Sequence, residues 1–220
     1  MSQGPHITDH PSPNFGQRRN GLKPELIVLH YTAMDSAKAA LARLCDPAPE
    51  VSAHYLICEK GHIYRLVDES MRAWHAGAGS WQGKSDVNSR SIGIELDNRG
   101  SHPFSEPQMA ALEQLLPMIM RRWNIPAEGV IGHSDMAPGR KFDPGTRFDW
   151  RRLALQGLAL WPDQAAALGD WADAAAKIGY DTDNPEAIAA FRARFRPWAN
   201  GEPDAEDARI ALRLTDRPSA

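Results

Sequence analysis

The stretch that most constrains the fold is Leu26-Ile27-Val28-Leu29, followed at once by His30. Side chains alternate along a strand, so Leu26, Val28 and His30 would share one face and Ile27 and Leu29 the other. Both faces are then apolar, and a strand of that kind reads as a central one covered on two sides. Helical cover is available. Ser36 to Leu44 is rich in Ala and Leu behind a capping serine. Ser105 to Trp123 places Leu112, Leu115, Leu116 and Ile119 in one stripe, with Pro107 in its first turn and Pro117 as a bend. Ala53 to Cys58 and His62 to Val67 are β-prone runs split by Glu59-Lys60-Gly61, which predicts a hairpin. Ser91 to Leu96 and Gly129 to Gly132 complete the strands. This alternation predicts an α/β fold, with a mixed central β-sheet flanked by helices.

A chain of 220 residues exceeds one small domain. Its character changes after about Leu160, which divides it into residues 1–160 and a small helical module, 161–220. Helices are expected over Asp163 to Ile178, from Asn184-Pro185-Glu186 to Phe195, and over Ala205 to Leu214. Their thin core would lean on the first domain. The net charge of -3 offers no basic excess to neutralise phosphates, so nucleic acid is not an expected partner. No apolar run is long enough to span a bilayer, and Met1 to Asn20 lacks the apolar stretch of a secretory signal, so a cytoplasmic protein is expected. Cys45 and Cys58 read as free thiols, since their spacing suits no zinc knuckle.

The polar residues exposed by such a frame fall in a few places. His30 closes the first strand, either as a hydrogen-bonded core histidine or as a ligand. On Ser91 to Leu96, the residues Ile92, Ile94 and Leu96 share a face and leave Gly93 and Glu95 on the other. A carboxylate there is costly unless it meets a polar pocket or an arginine. The segment from Gly132 to Gly145 gathers His133, Asp135, Arg140, Lys141 and Asp143 around Pro138-Gly139 and Pro144-Gly145, which excludes an ordinary helix and predicts a rigid loop. Arg72 to Asn88 reads as a long polar loop carrying Trp74, His75 and Trp81. Aromatic planes on an adaptable backbone suit a carbohydrate or peptide cleft, and equally a loop pinned to the core. His54 and His62, in or beside the hairpin, read as structural. His30 and His133 both end buried strands, and a sheet can bring such ends to one edge. Two imidazoles with Asp143 make a typical catalytic zinc set that leaves the fourth position to water.

Ile27-Val28-Leu29-His30-Tyr31-Thr32, Ser52-Ala53-His54-Tyr55, Trp74-His75-Ala76-Gly77, Ser91-Ile92-Gly93-Ile94-Glu95 and the loop from Gly132 to Gly145 occur in the order found in zinc-dependent N-acetylmuramoyl-L-alanine amidases. The chain resembles the bacterial branch of that family, which is similar in fold to phage lysozyme-type amidases and animal peptidoglycan recognition proteins. The resemblance covers roughly Ile27 to Arg152. It implies that His30, His133 and Asp143 bind Zn²⁺, that Glu95 is the catalytic glutamate, and that Lys141 is the lysine that stabilises the oxyanion. It also places Trp74, His75 and Asn88 in the cleft. Asp143 stands where the phage and animal branches carry cysteine. Arg140 has two readings, a bidentate hold on a peptide carboxylate or a salt bridge to Asp135.

The C-terminal part resembles a peptidoglycan-binding domain through Ile178-Gly179-Tyr180, Ala189-Ala190-Phe191-Arg192 and the turn from Asn200-Gly201 to Asp204, although Asp207 falls where threonine is usual. Arg192, Arg194 and Arg196 would either meet acidic wall groups or form a solvated face. The implied partners are anhydromuropeptides or wall fragments, cleaved in recycling or turnover. A non-catalytic recognition protein would share the fold, but such members tend to lose a metal ligand. A zinc peptidase would share the metal, but the helical His-Glu-x-x-His signature is absent. The wall-binding resemblance also allows a place in the periplasm or cell envelope.

Overall fold

The computed structural model describes residues 5–162 and 169–215. Its strands and helices in chain order are β1 (Ile7–Asp9), β2 (Phe15–Gly16), β3 (Leu26–Tyr31), α1 (Ala37–Cys45), β4 (Tyr55–Ile57), β5 (Ile63–Arg65), β6 (Arg72–Ala73), α2 (Val87–Arg90), β7 (Ser91–Leu96), α3 (Glu106–Trp123), β8 (Val130–Gly132), α4 (His133–Met136), α5 (Trp150–Ala154), α6 (Trp171–Ile178), α7 (Ala187–Phe195) and α8 (Ala205–Thr215). Six strands form one sheet in the order β1-β5-β4-β7-β3-β8, while β2 and β6 pair separately. Within the six, only β4 and β5 run antiparallel, which makes the sheet mixed as the strand and helix alternation predicts.

Strand β3 is hydrogen-bonded on both edges, to β7 and β8. Its two apolar faces find separate cover. Ile27 and Leu29 join Ile92, Ile94 and Leu96 beneath Leu112, Leu115, Leu116 and Ile119 of α3. Leu26 and Val28 join Ile131 in a second cluster with Ala174, Phe191 and Ala211 of α6, α7 and α8. Each such leucine or isoleucine, fully withdrawn from water, contributes about 1.5–3 kcal/mol. The C-terminal helices therefore supply one layer of a layered α/β molecule. Helix α3 is capped by the Ser105 hydroxyl, which accepts from the Gln108 N–H, and it runs through Pro117 to Trp123.

Some elements differ from their sequence expectation. Strand β1 pairs in parallel with β5, although its polar composition carried no strand signal. The Arg72 to Asn88 segment is not all loop: β6 pairs with β2, and α2 begins at Val87. The Gly132 to Gly145 segment opens with a helical turn, α4, because Pro138 and Gly139 come late enough to leave four residues free to coil. Of the helix expected over Asp163 to Ile178, the described portion is α6, and residues 163–168 lie outside the described residues.

Candidate metal centre

Strand register assembles the site. His30 lies opposite Glu95 on β7, and Leu29 opposite Gly132 on β8, so β8 delivers His133 beside His30 at the carboxyl ends of parallel strands. The turn after α4 brings Asp143 back onto both. The Nδ1 atoms of His30 and His133 are 2.9 Å apart, and Asp143 Oδ2 is 2.9 Å from the first and 3.0 Å from the second. All three residues are buried.

The outer ring nitrogens decide which atoms face the centre. Ser91 Oγ donates to the Val87 carbonyl at 2.6 Å, so it accepts from His75 Nε2–H at 3.1 Å. His75 Nδ1 is then an acceptor for His30 Nε2–H at 3.0 Å. His133 Nε2–H donates to the Ala76 carbonyl at 2.9 Å. Both imidazoles are thereby held with a bare Nδ1 turned inward, the arrangement by which outer partners orient histidines that can bind a metal. Burial, and next the charge of His133, push His30 down to about 4, which keeps it neutral at pH 7. Two imidazole lone pairs and a carboxylate oxygen thus converge within 4.8 Å, an arrangement that repels itself unless a cation sits among them. Among the described residues this is the one cluster able to hold a metal ion.

Glu95 borders the centre on the same face as Ser91 and Gly93. Its Oε2 is buried without a hydrogen-bond partner, and burial, then the charge of Asp143, push the carboxyl up to about 8. Gly93 is required here, because a Cβ on it would lie 2.4 Å from the His75 ring. His30, His75, Glu95, Trp74, Arg140 and Lys141 all line one cleft of about 470 Å³, the size of a small-ligand site.

Other anticipated residues are held by contacts within the fold. Asn88 is buried behind the cleft, where its Oδ1 accepts from the N–H groups of His75 and Ala76 and holds that turn in place. His75 has both ring nitrogens engaged, so it orients His30. Arg140 does not pair with Asp135; its guanidinium donates to the carbonyls of Ala76, at 2.7 Å, and Ala78. Asp135 instead accepts from Tyr180 Oη at 2.7 Å and pairs with Arg194 at 3.1 Å. Arg192 and Arg194 are buried, and Arg192 and Arg196 pair with Asp207, so these arginines form neither a solvated face nor a free basic surface for acidic wall groups. Ser91, which fixes the His75 tautomer, lies on the face that the same alternation gives to Gly93 and Glu95.

A family model described as N-acetylmuramoyl-L-alanine amidase matches residues 20–146. The chain belongs to the N-acetylmuramoyl-L-alanine amidase family. It is 37% identical over 231 residues to N-acetylmuramoyl-L-alanine amidase AmiD of Escherichia coli K12, covering 88% of this chain and 83% of that protein. To 1,6-anhydro-N-acetylmuramyl-L-alanine amidase AmpD of Haemophilus influenzae it is 35% identical over 159 residues, 64% of this chain and 86% of that one. Among solved structures it is similar to E. coli AmiD in complex with the substrate anhydro-N-acetylmuramic acid-L-Ala-D-gamma-Glu-L-Lys, with a TM-score of 0.78, 37% identity and coverage of 90% and 91% of the two chains. The structure of AmpDh3 from Pseudomonas aeruginosa gives a TM-score of 0.79 at 29% identity, covering 98% of this chain and 97% of that one. No helix among the described residues is long and apolar enough to cross a membrane.

Proposed function

We propose that this amidase uses zinc held by His30, His133 and Asp143 to hydrolyse the amide between N-acetylmuramic or anhydro-N-acetylmuramic acid and L-alanine. The convergence of two bare Nδ1 atoms and a carboxylate oxygen beside the unpaired Oε2 of Glu95 carries this reading. Two nitrogens and one oxygen suit zinc and leave a position open for chemistry. Zinc bound there would polarise the scissile carbonyl and bring the pKa of the attacking water towards about 7.

The rest falls to the chain. Glu95 accepts the proton of the attacking water at Oε2 as the C–O bond forms, and returns it to the L-alanine nitrogen as the C–N bond breaks. Burial raises its proton affinity above that of a free carboxylate, which favours a group that must hold the water's proton before returning it to the leaving nitrogen. The Lys141 ammonium, on the cleft wall, offsets the negative charge gathering on the carbonyl oxygen. Trp74 supplies an apolar wall to the bound substrate. Substrates are muropeptides of wall recycling or turnover, a reading supported by the muramyl-L-alanine amide in the names of the relatives. A role in cytoplasmic recycling is tested by fractionating cells that express the tagged protein.

Incubation with anhydro-N-acetylmuramic acid-L-Ala-D-γ-Glu-L-Lys and mass spectrometry of the products tests the reaction. The expected products are anhydro-N-acetylmuramic acid and the intact tripeptide, with loss of turnover on chelation and recovery on adding Zn²⁺. Cuts within the peptide would mark a peptidase, and binding without turnover a recognition protein.

A further inference from the structure

The outer hydrogen bonds of His30 and His133 end on two adjacent residues. His30 Nε2–H donates to the His75 ring at 3.0 Å, and His133 Nε2–H to the Ala76 carbonyl at 2.9 Å. Gly77 follows at φ +63°, a left-handed conformation that favours glycine, so the chain turns there. This one short turn sets the direction of both inward Nδ1 atoms.

A single side chain grips the turn. Asn88 is 7% exposed, and the N–H groups of His75 and Ala76 reach the same atom of its amide, at 3.0 and 2.8 Å. Two donors can share only the amide oxygen, which fixes the orientation of the group. Asn88 lies in α2, and Ser91, whose hydroxyl accepts from the His75 ring, follows at the start of β7. The junction between them is itself held, because Arg18 donates to the carbonyls of Ser89 at 2.9 Å and Ser91 at 3.1 Å. Neither Asn88 nor Ser91 lines the catalytic cleft. Without the amide oxygen both N–H groups lose their partner, and a shift of about 1 Å in the turn is enough to misdirect a lone pair at the metal centre.

We propose that Asn88 is a positioning residue for the metal centre: its one amide oxygen, acting through the turn at His75 and Ala76, orients both imidazoles and so sets the affinity for Zn²⁺. The proposal rests on the zinc reading above. It is tested on the full chain without substrate, by titrating Zn²⁺ in competition with a chromogenic chelator. Asn88→Leu should weaken Zn²⁺ binding about 10–100-fold, the effect typical of losing an outer partner of a metal ligand. Asn88→Asp keeps an oxygen facing both N–H groups and should recover most of that loss. Ser91→Ala releases the His75 ring alone and should cost about tenfold. Added to Asn88→Leu it should cost less than in the parent, because the turn it acts through is already loose. A purely structural Asn88 would lower the unfolding midpoint and leave the Zn²⁺ affinity and this coupling unmoved. If Asn88→Leu does not fold, Asn88→Ser takes its place with the same expectation, since its hydroxyl is one bond shorter and cannot reach both N–H groups. Parent-like Zn²⁺ affinity in the variant, or strictly additive losses, overturns the proposal and leaves the zinc reading standing, whereas a parent that binds no Zn²⁺ overturns both.

Discussion

Residue chemistry sets the sharpest expectations. Glu95 is isolated from every hydrogen-bond partner at Oε2, so Glu95→Gln removes the proton carrier while keeping the shape. Its kcat should fall by about 10²–10⁴-fold with metal content unchanged by elemental analysis, the scale of general acid–base catalysis. Lys141→Met should cost roughly 3 kcal/mol of transition-state stabilisation, read as kcat with KM little changed. Equal turnover in either variant removes that residue from the mechanism. His54 contributes differently: its Nδ1 accepts from the Gly93 N–H at 2.9 Å and its Nε2–H donates to the Met71 carbonyl at 3.1 Å, so the neutral ring is satisfied as it stands. Burial, then the Arg18 charge, push it from 6.5 down to about 3. The unfolded chain binds this proton below pH 6.5 and the folded chain refuses it, so the stability is present above pH 6.5 and is lost as pH falls towards 3. Denaturant titrations should show a slope of about 1.4 kcal/mol per pH unit from this ring, absent in His54→Gln. A variant with the parent's slope would contradict it.

Among the elements, the segment from β8 through Asp143 carries two of the three proposed ligands, and it is braced from outside the catalytic sheet. Asp135 accepts from the Gly132 N–H at 2.8 Å, from Tyr180 at the end of α6, and from Arg194 of α7, whose guanidinium also lies 4.0 Å over the Trp150 ring. Asp135→Ala leaves Arg194 buried without a counter-charge and should cost about 3–5 kcal/mol of unfolding free energy. Tyr180→Phe removes one hydrogen bond and should cost about 1 kcal/mol. Asp135→Ala within 1 kcal/mol of the parent in urea denaturation would show that the brace contributes little. The metal-loop residues were legible by type, as an imidazole and carboxylates between turns. Asp135 as the brace was not, because Tyr180 and Arg194 are distant in sequence.

For the whole molecule, α6, α7 and α8 share a buried cluster with Leu26, Val28 and Ile131 of the sheet. Removing residues 161–220 should therefore uncover one sheet face and leave an aggregation-prone chain. The check is soluble yield and the cooperativity of thermal unfolding; a truncated protein that melts as sharply as the parent would show that the layer is dispensable. The apolar run of β3 announced that cover on both faces was needed, and α3 was readable as one cover from its stripe. The other cover lay more than a hundred residues downstream, in helices whose alanine-rich sequence names no target.

Local periodicity and residue chemistry determined β3, the β4–β5 hairpin, β7, the long helix and the lone carboxylate of Glu95, because each is written within a few consecutive positions, whereas the proposed ligands His30, His133 and Asp143 stand far apart and were legible by residue type and family resemblance. Only tertiary packing decided the direction of the imidazole lone pairs, the retreat of Asn88 behind the cleft, and the burial of Arg192 and Arg194 in ion pairs. Hydrogen-bond direction and burial depend on which atoms meet across the fold, and those partners come from opposite ends of the chain.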